Sequence, residues 1–504
     1  MKHISHLFFC LFIIVIGFSV NAQDKYFTKQ QIQADISYLK TELEKTHPTL
    51  YKYTTKERFD FVCDSLLKSA PEKADLRQVF VHLLKMIRTI KCGHTYLEPI
   101  NKELIPKAGN KLLVFPFSPQ FFPFEIYIKD ERIFISRSYV KKGSDFGRGD
   151  EILSINKTPA KQVLNIVQAY NFQHPDGDNT YGEKFFLTSN FKFLIYLWLG
   201  HQEAYSLKIK RMNNEVAENI EVSPISIEEF LLIDKDRNIE NVYDNTNISF
   251  SVIDSLKSTA YLRIKAFQNV GYTSDFFSGT VPIPDFEKRI KNVFKDVKKD
   301  NIQNLIIDFR GNLGGNISLA NNVLSYLIPN QFMSAQLSIR EGAINKLPVS
   351  HDLLSPNPAK SFKNRIDGDF IQYDYSNFRV APKEDLVFKG NIYVLINGGT
   401  FSAASYFTSK LYDSGIGTFI GVPIGGAYFG TSGGCFSKLK LPNTNLTVNV
   451  PLMRVLFNVN SQKYQRTHLK PDFEVPLSFD DFLKKQDTAM KFTTELIKKG
   501  KKMR

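Results

Sequence analysis

One hydroxyl and one imidazole in this chain of 504 residues stand where they could do chemistry. Ser402 lies in Gly398-Gly399-Thr400-Phe401-Ser402-Ala403-Ala404-Ser405, between Ile392-Tyr393-Val394-Leu395-Ile396 and a run with Phe407 and Leu411 at helical spacing. The first run, short, continuously apolar and rich in β-branched residues, reads as a strand buried on both faces. A serine at a tight strand-to-helix turn has its hydroxyl held up. Its backbone N–H and that of Ala403 are free at a helix N-terminus to meet an oxyanion. The plainer reading is a small-residue turn with Ser402 as N-cap. His94, in Cys92-Gly93-His94-Thr95-Tyr96-Leu97, carries the side chain that titrates nearest neutrality, and its plainer reading is a cap at a helix C-terminus. A second glycine turn, Phe309-Arg310-Gly311-Asn312-Leu313-Gly314-Gly315-Asn316, follows Asn304-Leu305-Ile306-Ile307-Asp308, and its amides could cradle an anion or oxyanion. No Gly-Lys-Ser/Thr ending follows, so a nucleotide is not expected. Without His-x-x-x-His or paired Cys-x-x-Cys spacing, neither a metal nor another cofactor is expected.

The elements that must position these groups fall into four stretches. Residues 1–22 have a Lys2/His3 head, an apolar run from Leu7 to Val20 and the small-residue ending Val20-Asn21-Ala22, which reads as a secretory signal and not a membrane span. The expected setting is therefore periplasmic or extracellular. Residues 23–110 form a helical N-terminal domain: Ile32, Ile36, Leu39 and Leu43 recur at helical spacing after a Thr28/Gln31 capping box. Two further helices are expected over about Thr55 to Leu67 and Leu76 to Ile90, with Gly93 breaking the last and leaving His94 at its edge. Residues 111–225 change to short strands, and Gly143 to Asn156 resembles the core of a PDZ domain, a fold that accepts an extended peptide as an added strand. The aromatic stretch Asn171 to Leu199 reads as packing between domains. Residues 226–504 turn α/β, with the strand, glycine turn and helix of Asn304 to Leu327 recurring at Ile392 to Tyr412 as two units able to stack side by side.

Composition narrows the partners. Net charge is +14, but Lys and Arg are scattered with no aromatic-interleaved basic run, so nucleic acid is not expected. Beyond the signal the cysteines are Cys63, Cys92 and Cys435, an odd set without paired spacing that implies no disulfide framework.

Taken in order, Gly93-His94-Thr95, Leu305 to Asn312 with Gly314-Gly315, Asn397 to Ser405, Leu441-Pro442-Asn443 and Pro471-Asp472 resemble the tail-specific, or C-terminal-processing, serine protease family. The branch resembled is the tricorn-core and retinoid-binding-protein-like one of secreted bacterial proteins, and the match runs over nearly the whole mature chain. The resemblance implies an α/β fold with a crotonase-like, spiralled ββα core, a helical N-terminal domain and a PDZ-like insert. It implies Ser402 as nucleophile acting on peptides or unfolded protein tails, with the amides of Gly314 or Gly315 and of Ala403 binding the oxyanion. One branch of the family uses a lysine base after the serine helix, but Gly421 to Gly434 contains none, and His94 matches the histidine version. The group orienting that histidine is unassigned: Gln465 lies near where a glutamate is expected, while Glu98 and Asp308 are closest in motif terms. The alternative is a decayed member of the family that binds a peptide or apolar ligand without cleaving it.

Overall fold

A computed structural model of the chain describes residues 25–98, 120–140, 146–214, 216–226, 229–230, 247–253, 255–256, 258–268, 270–272, 280–282, 285–347, 362–373, 379–460 and 468–500. The expected signal over residues 1–22 and Gln465 lie outside them. The architecture is mixed α/β: an N-terminal group of helices, an antiparallel sheet with its own helices, and a core of two sheets.

The helices Lys29–Thr46, Lys56–Lys68 and Leu76–Ile90 occupy the predicted positions. In the first, Gln31 N–H donates to Thr28 Oγ1 at 3.3 Å and Thr28 N–H donates to Gln31 Oε1 at 2.9 Å, the reciprocal capping box the sequence announces. Its apolar stripe Ile32, Ile36, Leu39 and Leu43 is buried, as are Val79, Leu83 and Ile87 of the third helix. The third helix ends at Ile90 as expected, but another residue closes it. Lys91 takes the left-handed conformation at φ 54° that closes it, so Gly93 is not the breaker. Gly93 is required for closeness instead: a Cβ there would stand 2.5 Å from the His174 carbonyl oxygen and 2.6 Å from Phe401 Cζ.

In the middle of the chain, Phe124–Lys129, Arg132–Ser138, Glu151–Ile155, Tyr205–Lys210 and Ala217–Val222 pair antiparallel in that order. Helix Ala160–Ala169 accompanies them. The aromatic stretch becomes helix Thr180–Leu199, burying Phe186, Phe191, Phe193 and Leu194 among others. A helix apolar on most sides belongs inside. Its first turn reaches the core, where a Cβ on Gly398 would meet the Tyr181 carbonyl oxygen at 2.2 Å.

The first core sheet has the order Ile248–Val252, Thr259–Ile264, Asn304–Asp308, Asn391–Ile396, Thr418–Gly421, Phe473–Glu474, parallel from its second strand onward. The two strand–turn–helix units lie side by side as the sequence suggests, with Ile306 opposite Tyr393 and Ile307 opposite Val394. Buried on both faces, these strands are continuous apolar runs. The second core sheet has the order Phe362–Asp367, Phe370–Tyr373, Gln336–Arg340, Thr447–Leu456, Gly430–Lys440. The short strand Tyr96–Leu97 joins it, with Tyr96 opposite Asn449, which carries the segment after His94 into the core.

Candidate active site

The two parallel units deliver their glycine turns to the same place, and two asparagines tie those turns together. Asn312, fully buried, accepts from Phe401 N–H through its carbonyl at 3.0 Å and from Gly314 N–H through its Oδ1 at 2.8 Å. Asn397 Oδ1 accepts from both Gly311 N–H and Gly399 N–H at 2.9 Å. Gly314 follows at φ 104°, where an added Cβ would meet Ser402 Cβ at 2.6 Å and the Ala403 nitrogen at 2.7 Å. Only glycine allows that approach.

Three hydroxyls lie in the serine phrase, and two of them are spent on backbone. Thr400 Oγ1 donates to the Phe309 carbonyl at 3.0 Å and Ser405 Oγ donates to the Thr400 carbonyl at 3.2 Å. Ser402 differs. It occupies the N-cap position of helix Ala403–Asp413 without making a side-chain cap bond, and its backbone sits at φ 56°, ψ −123°. A non-glycine residue in such a region costs on the order of 1–3 kcal/mol and persists only when its surroundings over-determine it. The stitched turns do so here, and the N-cap reading of Ser402 gives way to a hydroxyl presented to His94.

His94 Nε2 lies 3.0 Å from Ser402 Oγ. The imidazole is 8% exposed, packed between the rings of Phe401 at 4.7 Å and Phe436 at 5.9 Å. Asn449 Nδ2 donates to the His94 carbonyl at 2.8 Å and holds its backbone from the added-strand side. Burial pushes the His94 pKa below its ordinary value, and the nearby Asp176 carboxylate opposes that push. The neutral imidazole is therefore the form present near pH 7.

The other ring nitrogen has its own partner. His94 Nδ1 is 3.2 Å from Thr431 Oγ1, and Thr431 Oγ1 donates to Asp176 Oδ2 at 2.8 Å. Asp176 Oδ1 accepts from Gly93 N–H at 3.0 Å, so one carboxylate, 1% exposed, braces both flanks of the histidine. Neither Thr431 nor Asp176 was singled out by sequence reasoning. Thr431 hides in the glycine-rich run before Gly433-Gly434, and Asp176 in a stretch read only as packing. Its one local signal is the turn-forming phrase His174-Pro175-Asp176-Gly177-Asp178.

The remaining motif residues have structural duties. Asp308 accepts from Arg310 Nε at 3.0 Å, Arg310 Nη2 at 2.7 Å and the Tyr261 hydroxyl at 2.7 Å, and Glu98 pairs with Lys438. Neither carboxylate hydrogen-bonds His94. Arg310 continues to Asp487, the N-cap residue of helix Thr488–Lys498. Asn443, of the Leu441-Pro442-Asn443 motif, donates through N and Nδ2 to the buried Asp35 Oδ1, both at 2.9 Å. That motif fastens the first helix to the core. Lys410, on the serine's own helix, donates to the Asn458 carbonyl at 3.0 Å. Cys63, Cys92 and Cys435 are unpaired and buried, and burial pushes the Cys92 thiol up to about 11. Of the amides expected at an oxyanion, that of Gly314 is engaged by Asn312. Among the described residues none accepts a hydrogen bond from Gly315 N–H or Ala403 N–H. Among the described residues, no group of three His, Cys, Asp or Glu could hold a metal ion.

The glycine turns bring a serine and a histidine into contact, and residues 258–475 match the model of peptidase family S41. The chain is similar over nearly its whole length to solved structures of CPAF. A crystal structure of a CPAF mutant covers 94% of this chain and 99% of its own at 15% identity and a TM-score of 0.64, and mature CPAF covers 93% and 96% at 15% and 0.63. Mature CPAF complexed with lactacystin matches at 14% identity and a TM-score of 0.63, covering 93% of this chain and 97% of its own. At these identities the likeness establishes the fold. Comparison with curated proteins finds no match.

Proposed function

We propose that the chain is a serine peptidase that cleaves peptides or protein C-terminal tails through an acyl-enzyme on Ser402. The observation that carries the reading is the 3.0 Å contact between His94 Nε2 and Ser402 Oγ, within the reach a general base needs. His94 Nε2 takes the hydroxyl proton as Ser402 Oγ attacks the scissile carbonyl carbon, and returns it to the leaving amine as the C–N bond breaks. Water, deprotonated by the same nitrogen, then hydrolyses the ester. The amides of Ala403 and Gly315 receive the oxyanion, each donor of this kind contributing about 2.7–4 kcal/mol to the barrier difference. Gly314 supports them by its closeness to Ser402. The strained Ser402 backbone and the neutral, buried imidazole both favour this reading over a decayed binding protein.

We place the mature chain outside the cytoplasm on the strength of residues 1–22. Among the described residues no helix is long and apolar enough to cross a membrane. The sheet over Phe124–Val222, which carries the PDZ-like resemblance, is the proposed docking region for an extended substrate.

The test uses a fluorophosphonate probe, read by intact mass, together with hydrolysis of a mixed peptide library. Wild-type protein is expected to gain one adduct on Ser402 and to cleave peptides, and Ser402→Ala to do neither. Equal labelling of Ser402→Ala, or peptide turnover unchanged in it, overturns the proposal.

A further inference from the structure

We propose that Thr431 and Asp176 are positioning residues that set the tautomer and ring orientation of His94, with a hydroxyl relaying between the imidazole and its carboxylate. The inference rests on reading Ser402 and His94 as nucleophile and base.

The donor and acceptor count decides it. A carboxylate can only accept when ionised, so the Thr431 hydroxyl proton faces Asp176 Oδ2 at 2.8 Å. The alternative acceptor for that proton is the Ser432 carbonyl at 3.3 Å, with the same consequence. Either way the proton is spent away from the ring, and Thr431 Oγ1 meets His94 Nδ1 with a lone pair at 3.2 Å. Nδ1 therefore carries the hydrogen. In the neutral ring this leaves Nε2 bare, 3.0 Å from Ser402 Oγ, ready to accept its proton. Orientation is fixed at a second point, because Asp176 also holds Gly93 N–H at 3.0 Å. Asp176, Thr431 and the Gly93 amide thus form a buried frame around one imidazole. A hydroxyl takes the place beside the ring that a carboxylate fills in the Ser-His-Asp triad.

Asp176 also supplies the charge. His47 and His174, which also couple electrostatically to His94, are both buried and held neutral with pKa values of about 3 and about 4, and burial pushes the Cys92 thiol, beside the His94 backbone, up to about 11. Lys438 and Glu98, paired with each other, stand behind Asn449. Asp176 is the group that raises the His94 pKa against the lowering by burial. Removing its charge moves the acid limb of the activity profile to lower pH, a change that loosened packing alone does not produce.

The experiment measures the second-order rate of Ser402 labelling by the fluorophosphonate probe between pH 4.5 and 8.5, with thermal unfolding followed alongside. Thr431→Ser keeps the hydroxyl and is expected to label within about threefold of wild type, while Thr431→Val is expected to fall on the order of a hundredfold or more. Asp176→Asn is expected to slow labelling and to move its acid limb to lower pH. A labelled wild type whose Thr431→Val reacts equally fast overturns this inference and leaves the peptidase reading intact. An unlabelled wild type overturns both. Should Thr431→Val not fold, Thr431→Ala decides: a loss of labelling that Thr431→Ser does not share supports the relay, and labelling equal to that of Thr431→Ser overturns it.

Discussion

His94 Nε2 and Ser402 Oγ meet at 3.0 Å although 308 positions separate them in the chain. Two devices make the contact. The Tyr96–Leu97 strand joins the core sheet and pins the segment after the histidine, while the paired glycine turns force Ser402 into a positive-φ conformation that lifts its hydroxyl. Loss of His94 is therefore expected to act on chemistry and leave the serine's elbow in place. His94→Ala should lower kcat/KM for peptide hydrolysis by about 10²–10⁴ while the thermal transition moves little. Turnover within a few-fold of wild type removes His94 from the base role.

The pH profile of the wild-type protein follows from the same ring. In the proposed mechanism the base is the neutral imidazole, and burial holds the His94 pKa below the ordinary value near 6.5. Activity should then be flat through neutrality and fall only on the acid side of 6.5. An acid limb centred above pH 7 contradicts the buried, neutral imidazole.

Gly93 tests whether closeness rather than turn geometry is what the position requires. The substitution Gly93→Ala places a methyl 2.5 Å from the His174 carbonyl oxygen and 2.6 Å from Phe401 Cζ. It is expected to cost about 1–3 kcal/mol in stability, and to cut Ser402 labelling more than that loss explains, since His94 is the next residue. Denaturant unfolding and labelling measured side by side check it.

Two buried histidines predict acid sensitivity of the fold. His47 Nδ1 accepts from Thr49 N–H at 3.1 Å and its Nε2 faces Thr95 Oγ1 at 2.8 Å, so the ring is neutral. Its folded pKa of about 3, and that of about 4 for His174, lie below the unfolded value near 6.5. The unfolded chain thus binds more protons in this window, and stability rises with pH across it. The contribution is complete above pH 6.5 and is lost as pH falls toward 3, with a slope of about 1.4 kcal/mol per pH unit for each histidine. Unfolding free energies at pH 7, 6 and 5 measure it, and His47→Gln should flatten the curve.

Arg310 belongs to the glycine motif, and its bonds run to Asp308 and Asp487. It joins the almost fully buried Asp308 to Asp487 at the start of helix Thr488–Lys498. Arg310→Leu leaves Asp308 without its cation and is expected to cost about 3–5 kcal/mol. Under conditions where the variant stays folded, labelling of Ser402 should persist. Selective loss of labelling in a fully folded variant would instead place Arg310 in the site.

The local pattern carried a great deal. Thr28 with Gln31 announced the first helix, the continuous apolar runs at Leu305 and Ile392 announced strands buried on both faces, and the repeated strand, glycine turn and helix predicted neighbours that pair Ile307 with Val394. These features are readable because each depends on the backbone period of a single segment and on residues within a few positions of one another. Ser402 and His94 stand out the same way, as residues at the ends of such segments, and the fold brings them into contact.

What the sequence could not rank was which groups surround that pair. Thr431 lies 337 positions from His94 and 255 from Asp176, and each alone looks like an ordinary turn residue. Only the packing of Asn171 to Leu199 against the glycine turns brings them together, and it made a carboxylate out of a stretch read as filler. The same holds for the oxyanion amides: Gly314 and Gly315 are equivalent in sequence, and the Asn312 side chain engages one and leaves the other. Helices, strands and turns are specified by short-range periodicity. The partner of a buried donor or acceptor is specified by where separate segments cross, which no period in the chain encodes.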